Sequence, residues 1–168
     1  MVPMDNVIGP RQRLLLQRLD DSPEASLMIG LLTAGRRLDA AFNTVLSAHD
    51  LSGGRFATLL AVTSHPGLTI SGLAEQTEVT AATASGLVDS LVKRGLVVRT
   101  VGENDRRVQT LTATEAGRTL IAEAVPAIGA WLAGLASGID EASREGAQRT
   151  FSRLLAHLDG DDPHSATP

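Results

Sequence analysis

Residues 70–112 read ISGLAEQTEVTAATASGLVDSLVKRGLVVRTVGENDRRVQTLT, and this block constrains the fold more than any other part of the chain. Ile70, Leu73 and Ala74 recur at helical spacing on a short first segment. Thr80 then offers a side-chain oxygen to the unpaired N–H groups at the start of a second helix. On that helix Leu87, Val88, Leu91 and Val92 fall on one face. Gly95, directly after Lys93 and Arg94, is the residue type that ends a helix in the left-handed conformation. The stretches 96–101 and 107–112 are rich in Val, Leu and Thr and flank Gly102-Glu103-Asn104-Asp105, the pattern of a two-stranded hairpin. Helix, tight turn, helix and arginine-tipped hairpin form, in that order, a device for reading DNA.

The side chains of the block suit that task. Thr80, Thr83 and Ser85 are short polar groups near the start of the second helix, where a major-groove helix contacts base edges and backbone N–H groups meet phosphate. Lys93 and Arg94 at the far end are placed to hold backbone phosphates. Arg106 and Arg107 at a hairpin tip gain nothing from a core, whereas an arginine in a narrow minor groove meets its most negative potential. Phosphate would repel Asp105, so its role is to orient an arginine through a charge-assisted pair. Ala81, Ala82 and Gly86 leave the second helix short of long polar side chains, so DNA shape and backbone contacts are expected to outweigh base readout.

The formal charge of −4 argues against a nucleic-acid partner until its distribution is read. Residues 80–107 hold five basic residues against three acidic ones, while residues 108–168 hold four arginines against eight acids. A basic island on an acidic protein can bind DNA at one face without adhering to it everywhere.

The flanking sequence is helical. Residues 10–19 predict a short helix stopped before Pro23. Ser22-Pro23-Glu24 supplies an N-cap followed by proline at the first helical position. The helix it opens runs to about His49 and carries Leu27, Leu31, Ala34, Leu38, Ala41, Val45 and Leu46 as an apolar stripe. Leu51-Ser52-Gly53-Gly54 is expected to break it, with Ser52 capping the next helix. Thr112 or Thr114 opens a long helix through Leu120, Ile128 and Leu132, and a last helix carries Phe151, Leu154, Leu155 and Leu158.

The terminal stripes exceed what the central module can cover, so a helical homodimer is expected, an ordinary intrachain core being the alternative. The fold class is mainly α with a small β-hairpin wing: a winged helix-turn-helix with terminal dimerisation helices. The expected divisions are a tail and short helix at 1–22, a dimerisation region at 23–50 and 113–159, a DNA-binding region at 51–112 and a tail at 160–168.

The absence of cysteine removes disulfides, thiol catalysis, thiol redox sensing and Cys-ligated zinc. His49, His65, His157 and His164 match no metal-ligand spacing, so neither a metal nor a cofactor is expected. There is no nucleophile elbow, phosphate loop, dinucleotide fingerprint or HExxH motif, so an enzyme is not expected. No basic-then-apolar leader opens the chain, and no apolar run reaches a bilayer span. The expectations are a cytoplasmic protein and no membrane partner.

Gly67-Leu68-Thr69-Ile70, Leu73-Ala74, Val79-Thr80, Leu87-Val88-Asp89-Ser90-Leu91, Arg94-Gly95-Leu96-Val97, Asp105-Arg106-Arg107, and Leu111-Thr112 with Glu115-Ala116-Gly117 together resemble the MarR family of bacterial regulators in order and spacing. The resemblance implies a winged-helix homodimer on a pseudo-palindromic operator of double-stranded DNA, usually acting as a repressor. It implies that the terminal helices dimerise and that the fourth core helix enters the major groove. Asp105 and Arg107 would then sit at the wing, with the arginine in the minor groove. It also implies, for many members, release of DNA when a small, often aromatic or phenolic, molecule binds between the dimer and DNA-binding regions. This chain departs from its relatives at Ala81, Ala82 and Gly86, where larger polar or basic residues are common. It departs again at Glu78, a turn position often filled by glycine, where a positive φ is expected.

The candidate effector-binding residues are Arg36, His49, Arg55, Phe56 and His65. A phenolate or carboxylate would want an arginine or histidine beside an apolar wall such as Phe42, Phe56 or Trp131; the same polar residues also suit helix caps or solvent. The alternative function is an interaction module that uses the winged helix on protein, or on DNA without sensing a small molecule.

Overall fold

Most helix boundaries in the central part of the chain have an identifiable chemical cause. In the computed structural model, which describes residues 9–20, 22–101 and 109–160, the order is α1 (Pro10–Arg18), α2 (Pro23–Ser47), α3 (Gly53–Ser64), β1 (Leu68–Thr69), α4 (Ile70–Gln76), α5 (Ala81–Lys93), β2 (Val97–Val101), β3 (Gln109–Ala113), α6 (Glu115–Ala136) and α7 (Glu141–Gly160). Four starts are capped by hydroxyls. Ser22 accepts the N–H of Ala25, Thr69 that of Gly72, Thr80 that of Thr83 and Thr114 that of Gly117. Each such cap contributes about 1 kcal/mol by satisfying a backbone donor the helix leaves open.

Three stops share one closure. Asp50, Glu78 and Gly95 take φ of 54°, 53° and 69°. The next residue in each case donates five positions back: Leu51 to Leu46, Val79 to Ala74 and Leu96 to Leu91, at 3.1, 3.0 and 3.0 Å. This is the Schellman arrangement. The positive φ expected at Glu78 is present. The break after α2 differs from expectation. It is made by Asp50, whose short polar side chain tolerates the left-handed region, and Gly53 and Gly54 lie inside the first turn of α3. The Ser52 side chain makes no cap there; Asn43 Oδ1 on α2 accepts the N–H of Gly53 at 2.9 Å instead.

The three strands form an antiparallel sheet in the order β1-β3-β2, with Leu68 opposite Leu111 and Val97 opposite Ala113. The hairpin is thus present as residues 97–101 and 109–113; its expected tip lies outside the described residues. β1 was not foreseen, because two residues carry no periodicity. Leu46, Leu59, Val62, Leu73, Val88, Leu91, Val97 and Leu111 are fully buried and knit α2 through α5 to the sheet, with Ile121 and Ile128 added from α6. A smaller cluster joins Leu16 of α1 to Ile29 and Ala25 of α2.

The stripe expected on α2 is buried only towards its C-terminal end. Leu46 is buried, with Val45 and Phe42 packed against the main core, whereas Leu27 and Leu38 are exposed. Nearer the start of α2, Ile29, Gly30 and Thr33 are buried, Ile29 against Leu16 of α1. The chain divides into two compact units, Met1–Ile128 and Gly129–Pro168. In the second, α7 has no buried residue, and Phe151, Leu155 and Leu158 are exposed. One further expectation is corrected. By length and composition α6 is long and apolar enough to cross a bilayer; alanines and glycines between its larger residues hid this in the sequence. Within the first unit its Gly117, Ile121, Ala124 and Ile128 are buried.

Candidate nucleic-acid interface

α5 is held by one face and shown by the other. Ala84, Val88 and Leu91, three and four apart, are buried. Ala81, Ala82, Thr83, Gly86, Asp89 and Lys93 are exposed. α3 packs closely behind it: a Cβ added at Gly54 would stand 3.3 Å from Leu87 Cδ2, and Arg55 Nε donates to Ser90 Oγ at 3.0 Å. At the front of the helix Thr80 Oγ1 accepts the Thr83 N–H at 3.2 Å, and the two hydroxyls are 2.9 Å apart. Ser85 is partly exposed one turn on. Thr80, Thr83 and Ser85 are therefore gathered at one end of one helix.

The other end is tied down more than the sequence suggested. Arg94 Nη1 donates to the carbonyl oxygen of Asp50 at 2.7 Å. The arginine expected on phosphate thus also closes the end of α2, with one of its five N–H donors engaged in that bond. Lys93 beside it is exposed. Arg99 on β2 pairs with Asp89 on α5 at 2.8 Å, linking the wing strand to the helix. Sequence reasoning did not single out Arg99, since a pair ten residues apart across a helix and a strand is not a local pattern. Its only sequence signal is a charge among valines.

The base of the wing is fastened at Thr114. Its hydroxyl donates to the Gly95 carbonyl at 2.7 Å, and its N–H donates to the Leu96 carbonyl at 3.0 Å. Gly117 lies so close that an added Cβ would run into the Leu96 carbonyl oxygen. Asp105, Arg106 and Arg107, the expected wing contacts, lie outside the described residues.

Residues 49–108 match the MarR family model. Its winged helix is that of a MarR-family transcriptional regulator. The chain is 29% identical over 102 residues to the HTH-type transcriptional regulator FarR of Neisseria gonorrhoeae, covering 61% of this chain and 70% of FarR. It is similar to CouR from Rhodococcus jostii RHA1, solved with p-coumaroyl-CoA, at 27% identity and a TM-score of 0.64 over 80% of this chain and 92% of CouR. The MepR–DNA complex of S. aureus shares the fold at 21% identity and a TM-score of 0.68, over 82% of this chain and 99% of MepR.

The five candidate effector residues do not meet in one place. Arg55 is engaged with Ser90, and Phe56 packs edge-on against Phe42 with centroids 6.0 Å apart. His65 lies about 15 Å further along the α3 axis. There its Nδ1 is 3.1 Å from Gln76 Nε2, beside a cavity of about 330 Å³ lined by Ala57, Leu60, Ala61, Ser64, His65, Gln76 and Thr77. Arg36 is exposed on α2, and His49 is half-buried just past its end. No group of three or more acidic, histidine or cysteine side chains suited to a metal occurs among the described residues.

Proposed function

We propose that the protein is a homodimeric repressor that binds a pseudo-palindromic DNA operator and leaves it when a small effector binds. The observation that carries the DNA-binding half is α5, a hydroxyl-capped helix buried on one face, open on the other and braced to a wing strand by Asp89 and Arg99. The fold shared with MepR, solved on DNA, supports the same reading. Dimerisation is supported by the exposed Leu27, Leu32 and Leu38 of α2 and, separately, by the exposed Phe151, Leu155 and Leu158 of α7, large apolar side chains open to a partner. Effector release is supported by the likeness to CouR, solved with p-coumaroyl-CoA. The working place of such a regulator is the cytoplasm.

The test is binding to the DNA flanking the protein's own gene, followed by fluorescence anisotropy as salt is raised. Several neutralised phosphates make log affinity fall steeply with log salt. Arg107→Ala should weaken binding while the circular dichroism spectrum is unchanged; equal affinity would remove the wing from the proposal. Sedimentation at micromolar concentration should report a dimer, and a monomer there would rule the homodimer out. Aromatic carboxylates and their CoA thioesters, titrated onto the complex, should lower its anisotropy if effector release is correct.

A further inference from the structure

The outward face of α5 lacks the side chains that usually read bases. From Ala81 to Val92 the sequence has no Lys, Arg, Asn or Gln. Neither the arginine–guanine nor the amide–adenine bidentate pair can be made from its first three turns. Its single acid, Asp89, is held by Arg99 at 2.8 Å. What the helix exposes instead is Ala81, Ala82 and Gly86, with hydroxyls at Thr83 and Ser85.

Nothing among the described residues requires a glycine at position 86. Its φ is not positive, and an added Cβ would meet nothing within 4 Å among the described residues. Glycine inside a helix is less stable than alanine, and no contact among the described residues offsets that cost. A missing Cβ does let a helix backbone come close to a surface outside the chain. Ala82 lies one turn before Gly86 on the same face, with Ala81 next to it. In the major groove, the thymine C5-methyl is the group that small apolar side chains recognise, and hydroxyls accept any base edge.

We infer that α5 seats its backbone at Gly86 against the base edges and reads thymine methyls with Ala81 and Ala82, so that thymines rather than guanines define its half-site. This rests on the DNA-binding reading above and names the sequence class of that site.

Selection of the full-length protein on random duplex DNA supplies a half-site, in which deoxyuridine then replaces each thymine in turn. Loss of a contacted methyl should weaken binding about fourfold, within the half-site and not in its flanks. Gly86→Ala should raise Tm by about 2–4 °C. It should also weaken binding to the same duplex about tenfold, the size of one base-pair mismatch. A selected sequence indifferent to every deoxyuridine, or a Gly86→Ala protein that binds like the parent, overturns this inference and leaves the DNA-binding reading standing. A selection that enriches no sequence overturns both.

Discussion

Arg99 of β2 reaches Asp89 of α5 across 2.8 Å, and this ion pair joins a strand of the wing to the helix expected to lie in the groove. The two side chains are 31% and 51% exposed, so water screens the pair and its share of stability is small, about 0.5 kcal/mol. Its value is in alignment. Arg99→Ala should leave Tm within a degree or two of the parent yet weaken operator binding about tenfold, because helix and wing no longer hold one spacing. Anisotropy and calorimetry on one preparation separate the two effects. A drop in Tm that accounts for the whole loss of binding would make the pair merely structural.

Glu78 sits at φ 53° in the turn between α4 and α5. A non-glycine residue there carries roughly 1 kcal/mol of strain. Glu78→Gly should therefore stabilise the protein, by about 0.5 kcal/mol once the greater freedom of glycine in the unfolded chain is set against the strain relieved. Urea denaturation with an unchanged m-value is the check, and a lowered midpoint would show that the Glu78 side chain contributes something the turn geometry does not reveal.

Gly117 has the opposite requirement. A Cβ there would run into the Leu96 carbonyl oxygen, a backbone atom that cannot swing away, and would press on Leu59 Cδ1 at 3.2 Å. Gly117→Ala should destabilise by about 1–3 kcal/mol, although alanine is the better helix former. Unaltered thermal unfolding in this variant would mean that α6 can back away from the sheet at no cost.

The hydroxyl of Thr58 is fully buried and has no hydrogen-bond partner among the described residues. Such a group carries its desolvation cost uncompensated. Thr58→Val, which keeps the shape, should raise stability by about 1 kcal/mol. A destabilised valine variant would point to a partner for the hydroxyl in solution.

Asp140 caps α7: Oδ1 accepts the Ser143 N–H at 2.8 Å and Oδ2 accepts its hydroxyl at 3.0 Å. These bonds, the backbone one first, hold its carboxyl below the ordinary value of 3.8. A pKa depressed on folding contributes stability above the unfolded value and loses it as pH falls through the folded one. The Ser143 amide should keep its exchange protection down to about pH 4 and lose it only below that. Asp140→Asn, which still caps, should flatten the dependence. Protection that already falls between pH 7 and 5 would contradict the assignment.

The sequence made the local devices legible and hid the distant ones. Thr80 and Gly95 could be read as the start and stop of α5 because capping depends on residues three or four apart. The positive φ at Glu78 was legible through the family resemblance, in which that turn position is often glycine. Arg94 on the Asp50 carbonyl, Asn43 on the Gly53 N–H and Arg99 on Asp89 were not, since each pair joins different elements that only packing brings together. The stripe of α2 was legible, but periodicity locates an apolar face without saying what covers it: Leu46 enters the core while Leu27 and Leu38 stay exposed. Arg55, Phe56 and His65 read as neighbours in sequence, and a rigid helix keeps them about 15 Å apart at its two ends.

The hydroxyl and N–H of Thr114 bind Gly95 and Leu96, and the strand register starts beside it with Val97 opposite Ala113. The root of the hairpin is therefore fixed by groups that owe nothing to residues 102–108. A change at Thr114 would unfasten the wing from the end of α5 at its root, because one side chain supplies both the stop of that helix and the start of the next with a hydrogen-bond partner.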